Sequence, residues 1–375
     1  MRARAWVVLS LACAGCSTAR GVPLAPGNGG SDGGIAESGA DRSAPTRHLV
    51  LRGGTIAGGG AADVEVTDGR IVAVGAVASG ADVVDVSGRW LAPAFIDSHV
   101  HLAYLPMLPE MVAGGVVAAV DLAAPESFLT EDHAPMKLLA SGPMITAPGG
   151  YPLDSWGAGG FGLACADGAS CADAVDRLKG LGAALVKVPV TDPPELDDAT
   201  LRAIVDRAHV LGLKVAVHAL SESAAHRAAI AGADILAHMP VEAFTEETFV
   251  TWANRTAITT LAAFGGDAAI ANAKELHDAG ATVLYGTDFG NTTTAGIDGA
   301  EIEQLALAGF DAAAILAAGT SAPAMFWGLD DLGTIEVGKR ASLLVLADDP
   351  LVIPATLAAP VAVYVDGAPA ARPGR

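Results

Sequence analysis

The sequence predicts an α/β protein: a (β/α)8 TIM-like barrel carrying a small β-sandwich domain assembled from both chain ends. Three observations carry that expectation. Between residues 95 and 287, eight apolar, β-favouring runs alternate with Ala-rich stretches of helical character, the pattern of βα units around a parallel sheet. Short strand-like runs with turn signals stand at both termini and differ in style from the middle. The polar residues that close the middle runs are few, and most are histidines.

The first residues read as a targeting segment. Arg2 and Arg4 make a basic start, Trp6 to Ala14 a short apolar core, and Cys13-Ala14-Gly15-Cys16-Ser17 resembles the lipobox of bacterial lipoproteins. Residues 1–16 are therefore expected to be a lipoprotein signal peptide, with Cys16 the lipidated residue. Cys13 stands where the pattern usually has Leu, and an ordinary cleaved signal peptide that happens to contain cysteines is the alternative. Residues 17–45, rich in Gly, Ser, Ala and Pro, have nothing to bury and read as a flexible linker reaching roughly 30 Å as a coil. The implied address is the envelope of a bacterium, on the periplasmic or outer side, with the membrane met only through the lipid anchor. No later apolar run approaches the ~20 residues of a spanning helix.

Residues 46–92 are expected to form the N-terminal part of the small β domain. Val64-Glu65-Val66-Thr67 and Ile71-Val72-Ala73-Val74 flank Asp68-Gly69-Arg70, and Asp-Gly between such runs signals a hairpin. Residues 330–375 are expected to complete that domain, through Thr334–Val337, Ser342–Leu346 and Val361–Val365. Residues 93–329 make the barrel, with strand candidates at 95–102, 115–121, 137–145, 184–190, 213–219, 233–239, 257–263 and 281–287. Helical stretches at 170–180, 198–211, 221–231, 266–279 and 300–318 separate or follow them. At 375 residues the chain is long enough for one large and one smaller domain. Its 42 Asp and Glu against 22 Lys and Arg give a formal charge of −20, which repels phosphate backbones and excludes nucleic acid as an expected partner.

In a (β/α)8 barrel, chemistry sits at the C-terminal ends of the strands. The first run, Ala94 to Leu102, carries His99 and His101; residues two apart on a strand point the same way, so both imidazoles can bind one metal ion. The fourth run holds Lys187 among apolar residues, the fifth and sixth end in His218 and His238, and the eighth ends in Asp288. Each alone has an ordinary structural explanation, such as a capping histidine, a snorkelling lysine or an N-cap aspartate. Placed together at five strand ends, they point to a metal centre. His133, His209, His226 and His277 fall in helix or loop text without a partner pattern and are expected to be non-catalytic.

These residues resemble the amidohydrolase superfamily, in its imidazolonepropionase- and dipeptidase-like branch, over about residues 46–375. The resemblance rests on Phe95-Ile96-Asp97-Ser98-His99-Val100-His101, Gly286-Thr287-Asp288 and Gly333-Thr334-Ile335-Glu336-Val337-Gly338-Lys339. It implies two divalent metal ions, Zn2+ first in expectation, with His99, His101 and Asp288 on one and His218 and His238 on the other. Lys187, carbamylated by carbon dioxide, would bridge them; a lysine in a dry barrel tends to lose its proton, and the neutral amine is the form that reacts. Mononuclear, deaminase-like members usually place a glutamate three residues after the strand-five histidine, where this chain has Ser221, with Glu222 one later.

The activity implied is hydrolysis of an amide-type C–N bond in a small dipeptide or cyclic amide, through a metal-bridging hydroxide with Asp288 as acid and base. A mononuclear deaminase or imidazolonepropionase-like hydrolase is one alternative. A non-catalytic envelope binding lipoprotein is another. Asp97 and Thr287 either orient the ligands or serve ordinary strand-end hydrogen bonds. Tyr104 and Phe289, beside ligand positions, are candidate contacts for a small-molecule substrate. So is Tyr151 in the 146–169 loop, where dipeptidase-like members often have the histidine of Gly-Gly-His; packing of the Gly-rich loop is its other reading. Cys165 in that loop and Cys171, with five residues of Gly/Ala-rich chain between them, can form a disulfide if the chain is exported, or remain buried thiols. Ser342 stands where the family usually has an acidic residue. Nothing in the sequence speaks to oligomeric state.

Overall fold

Strands from the two chain ends pair with one another in the computed structural model, which describes residues 47–78 and 82–371. The expected signal peptide, Cys16 and the linker lie outside the described residues. The N-terminal strands are β1 (His48–Ile56), β2 (Ala61–Thr67), β3 (Arg70–Gly75), β4 (Asp82–Asp85) and β5 (Trp90–Pro93). Next come β6 (Phe95–Val100), β7 (Val116–Asp121), β8 (Lys137–Ala140), β9 (Met144–Thr146) and β10 (Gly162–Ala164). The remaining strands are β11 (Leu185–Pro189), β12 (Lys214–His218), β13 (Ile235–Leu236), β14 (Thr256–Ile258), β15 (Thr282–Leu284), β16 (Leu343–Leu346), β17 (Ala362–Val365) and β18 (Ala368–Pro369).

The terminal strands run in the order β18-β17-β16-β5-β1-β2-β3, with β4 also paired to β1. The β2–β3 hairpin forms where Asp-Gly predicts it: Asp68 has φ 48° and Gly69 φ 80°, the left-handed pair that a two-residue turn needs to match strand twist. The expected sandwich of two facing sheets is not what the described strands form. They make one continuous sheet, whose two arms share a cluster of Leu49, Leu51, Val66 and Ile71 with Leu343, Val345 and Tyr364. Thr334–Val337, expected as a strand, is irregular, set between Gly333 and Gly338, both at positive φ. Ser342 is buried with its hydroxyl unpartnered among the described residues.

The middle of the chain builds parallel sheets. β6-β7-β8 form one and β11-β12-β13-β14-β15 the other. β6, β7 and β11 are buried along their whole length, as expected for strands covered on both faces. Ala184 N donates to Ala140 O (2.9 Å) at one junction of the two sheets, and Ser98 N donates to Tyr285 O (3.0 Å) at the other. Val120, Leu185, Ala216, Ile235, Ile258 and Leu284, drawn from six strands of both sheets, meet in one apolar cluster.

Amphipathic helices follow the strands, started by side-chain caps. Asp167 caps α1 (Gly168–Gly180), Asp197 caps α2 (Asp198–Val210) and Ser221 caps α3 (Glu222–Ala231), each accepting from an amide of the first turn. Three expected elements differ. The run 137–145 breaks at Ser141–Pro143 into β8 and β9, with Gly142 at φ 72°. The run 257–263 is strand only to Ile258; Thr260 turns left-handed (φ 46°) and Leu261–Phe264 is helical. The stretch 300–318 divides at Gly309 (φ 85°) into two helices, Gly299–Leu307 and Ala312–Gly319. No helix among the described residues is long and apolar enough to cross a membrane.

Candidate active site

At the C-terminal ends of the parallel strands, His99, His101, Lys187, His218, His238 and Asp288 come together. His99 and His101 leave β6 two residues apart, with rings 5.1 Å between centroids. Lys187 is inside β11 and fully buried, and His218 ends β12. His238 follows β13; its ring lies 4.5 Å from His99 and 4.7 Å from His218. Asp288 follows β15 at φ 53°, a conformation that Asp tolerates better than most residues, and its N–H donates to His99 O (2.9 Å). Gly286 permits this approach, because a Cβ there would lie 2.4 Å from Ile258 Cγ2 and 3.1 Å from His99 Cβ.

Three ligand atoms converge on one point. His101 Nε2 lies 2.9 Å and His99 Nε2 3.3 Å from Asp288 Oδ1. Ligands of one tetrahedral ion with bonds near 2.0–2.1 Å stand about 3.4 Å apart, so the spacing fits a zinc-like cation. His99 Nε2, His101 Nδ1, Lys187 Nζ and Asp288 Oδ1 are buried without a hydrogen-bond partner among the described residues. Buried polar atoms normally find partners, and the two orphans at the point of convergence, His99 Nε2 and Asp288 Oδ1, are what cation ligands look like before the cation is counted.

Electrostatics agrees with a donor set. Burial pushes His99 and His238 well below the usual imidazole range and brings His218 down to about 3, leaving neutral rings with lone pairs to offer. Burial also lowers Lys187 to about 7. Desolvation opposes ionisation of Asp288, but His99, His101 and the Asn291 amide outweigh it and hold the carboxyl below the usual carboxylate range. His99 Nδ1 donates to Ala237 O (2.8 Å), which fixes the tautomer that leaves Nε2 free, and His238 Nδ1 pairs with Thr260 Oγ1 (3.1 Å).

A ring of buried side chains holds these ligands. Asp97 Oδ1 accepts from the amides of His99 (3.0 Å) and Thr287 (3.1 Å), and Thr287 Oγ1 donates to Asp97 Oδ2 (2.6 Å). Both residues therefore tie β6 to the Asp288 turn. Three contributors carried too weak a sequence signal to be singled out. Asp121, closing the apolar run of β7, accepts from Ala103 and Ala123 N–H groups. Asn291 Nδ2 donates to Asp288 Oδ2 (3.0 Å). Glu301 reads in sequence as a surface position of an amphipathic helix. It is fully buried, accepts from the Leu261 and Ala262 amides (3.1 and 2.7 Å), and so fixes the turn whose Thr260 orients His238. Glu301→Ala would leave both amides unsatisfied, and a loss of about 2–4 kcal/mol in denaturant unfolding is expected, together with weaker metal retention.

A cavity of about 450 Å³ opens over the site, lined by His101, His218, His238 and Asp288 below and by Tyr104, Tyr151 and Trp156 above. Trp156 Nε1 donates to Tyr151 Oη (2.9 Å), and Tyr151 stands 5.1 Å from the His218 ring. Burial raises the Tyr151 hydroxyl to about 12, so it stays a proton donor. Phe289, expected to line the pocket, does not: its side chain is fully buried, and its backbone carbonyl accepts from His101 N. Cys165 and Cys171 form a disulfide at the base of the Tyr151–Trp156 loop. The four histidines expected to be non-catalytic lie apart from the cavity: His133 meets Phe128 O, His209 pairs with Asp234, His226 with Thr248, and His277 stacks on Phe310.

The amidohydrolase family model matches residues 90–370. Over 78 residues the chain is 45% identical to an N-acyl-D-aspartate deacylase of Alcaligenes xylosoxydans xylosoxydans, a match covering 18% of this chain and only 16% of that protein's length. Among solved structures, a candidate prolidase from Bifidobacterium longum is 25% identical, with a TM-score of 0.73 over 88% of this chain and 95% of that one. A Xaa-Pro dipeptidase with methionine bound in its active site is 17% identical, with a TM-score of 0.74 over 86% of this chain and 99% of that one, a likeness of fold. The family span contains all six residues gathered at the strand ends, and this chain belongs to the amidohydrolase family.

Proposed function

We propose that this protein is a metal-dependent hydrolase of an amide-type C–N bond in a small substrate, a dipeptide or cyclic amide in the widest reading. Two divalent ions, Zn2+ by the nitrogen and carboxylate character of the donors, would be held by His99, His101 and Asp288 and by His218 and His238, with carbamylated Lys187 between them. The observation that carries the reading is the convergence of His99, His101 and Asp288 on one point beneath an open cavity, beside a buried lysine brought down to about 7. A neutral amine is the form that takes up carbon dioxide, and the resulting anion offsets the repulsion between two dications.

Bound ions supply an activated water and polarise the scissile carbonyl. The chain's own groups do the rest. Asp288, whose Oδ1 is the ligand atom, takes a proton at Oδ2, the oxygen steadied by Asn291, and returns it to the leaving nitrogen. Tyr151 stays protonated over the site and can donate to the carbonyl oxygen of the substrate. Trp156, Tyr104 and Phe264 line the cavity with aromatic surface.

Glu222 weighs against the deaminase alternative. Its carboxylate accepts from Thr245 and Thr248 hydroxyls (2.7 Å each) on the outer face, away from the cavity. The test is metal content and turnover of protein prepared with zinc and bicarbonate. About two ions per chain, with hydrolysis of amides, is the expected result. One ion with deaminase activity would replace the reading, and a folded chain holding none would sink it.

The same proposal extends to architecture and address. Residues 93–329 are read as a closed (β/α)8 barrel flanked by one β domain from 46–92 and 330–375, supported by the two inter-sheet hydrogen bonds. Residues 1–16 are read as a lipoprotein signal, with Cys16 carrying lipid at the cell envelope. Labelled palmitate should enter the wild-type chain and not Cys16→Ser; equal labelling would discard the anchor.

A further inference from the structure

The cavity walls have a definite chemistry. Tyr104 and Trp156 pack edge to face, with centroids 5.6 Å apart, into one aromatic wall, and Phe161, not itself a lining residue, packs against both. Met144, Leu220 and Phe264 add apolar surface. Above the histidines of the floor, the neutral polar side-chain groups are the Tyr104 and Tyr151 hydroxyls, the Trp156 N–H and the Asn291 amide, and among the described residues no arginine or lysine lines the cavity. Asp288 at the floor is taken up as an ion ligand, and Asp154, which bears on Tyr151, is negative charge without a wall cation to match.

We propose that the site selects neutral substrates bearing an aromatic or bulky apolar group beside the scissile amide, with Trp156 as the specificity residue, and rejects those with a free carboxylate there. The proposal rests on the amidohydrolase reading and narrows it. A carboxylate next to the scissile bond gives up its water and meets no wall cation, while the ions at the floor are engaged by the carbonyl. An aromatic ring gains offset or edge-on contacts with Trp156 and Tyr104 that a small aliphatic group does not. Trp156 has a second effect. Its N–H occupies the Tyr151 oxygen, so the Tyr151 proton is left to point elsewhere, and the cavity is where an acceptor arrives. The acidic surface of the chain adds a weaker, longer-range bias against anions.

The experiment compares N-benzoylpyrrolidine with N-benzoyl-L-proline, which share one scissile amide and differ by one carboxylate. The zinc-loaded full chain is assayed for kcat/KM and, separately, for equilibrium binding by calorimetry. The neutral compound should be favoured by about tenfold or more in both readouts. Trp156→Ala should raise KM for the neutral compound by about tenfold with a smaller change in kcat, and should shrink the preference. Equal or better use of the acid overturns the proposal. If neither compound is cleaved, the amide-hydrolase reading fails and binding still decides: a tenfold preference for the neutral compound upholds the selectivity, and equal binding or none removes it.

Discussion

Asp288→Asn is expected to lower kcat/KM by about 10³-fold while the chain stays folded and keeps most of its metal. The substitution preserves shape and one side-chain oxygen, so Oδ1 can still face His99 and His101. Asn, like Asp, tolerates the left-handed backbone at this position, so the turn that donates to His99 O should persist. What it removes is a carboxylate able to accept and return a proton. The measurement pairs kcat/KM with metal analysis and a melting curve of the same preparation. A rate within tenfold of the parent, with metal intact, would assign the proton transfers to another group. Loss of metal together with activity would make Asp288 chiefly a ligand.

The strand-end constellation was legible because the inner strands are continuously apolar, so any polar residue at their ends stands out. His99, His101, Lys187, His218, His238 and Asp288 each interrupt such a run, and the structure brings all six to one place. Residues that act through backbone amides were not legible. Glu301 sits in a helix whose pattern reads as solvent-facing, and only the turn at Leu261–Ala262 reveals why it is buried. Phe289 failed for another reason: adjacency to a ligand says nothing about side, and after the left-handed backbone of Asp288 the next side chain is buried in the core. The terminal strands were readable from their hairpin and apolar runs, yet their union in one sheet depends on pairings such as β5 with β16, 250 to 256 positions apart, which no local pattern encodes.

Lys187→Ala should reduce metal content from about two ions per chain to about one and lower kcat/KM by about 10³-fold or more. The lysine is fully buried, its amine has no hydrogen-bond partner among the described residues, and burial, against the opposing pull of Asp288 and Asp121, brings it down to about 7. An unpaired ammonium there would be costly, so either the amine is neutral or an anion forms on it. Alanine removes that anion and opens a cavity between His218, His238 and the His99 cluster. Short carboxylic acids fit the vacated space and carry the missing negative charge, so acetate or propionate should restore a measurable part of the activity and the second ion. Rescue by carboxylates and not by amines of similar size would mark the lysine as the carrier of a bridging anion. Rescue by methylamine instead would mean that the free amine is the working form, and an unchanged metal content would leave Lys187 a packing residue of β11.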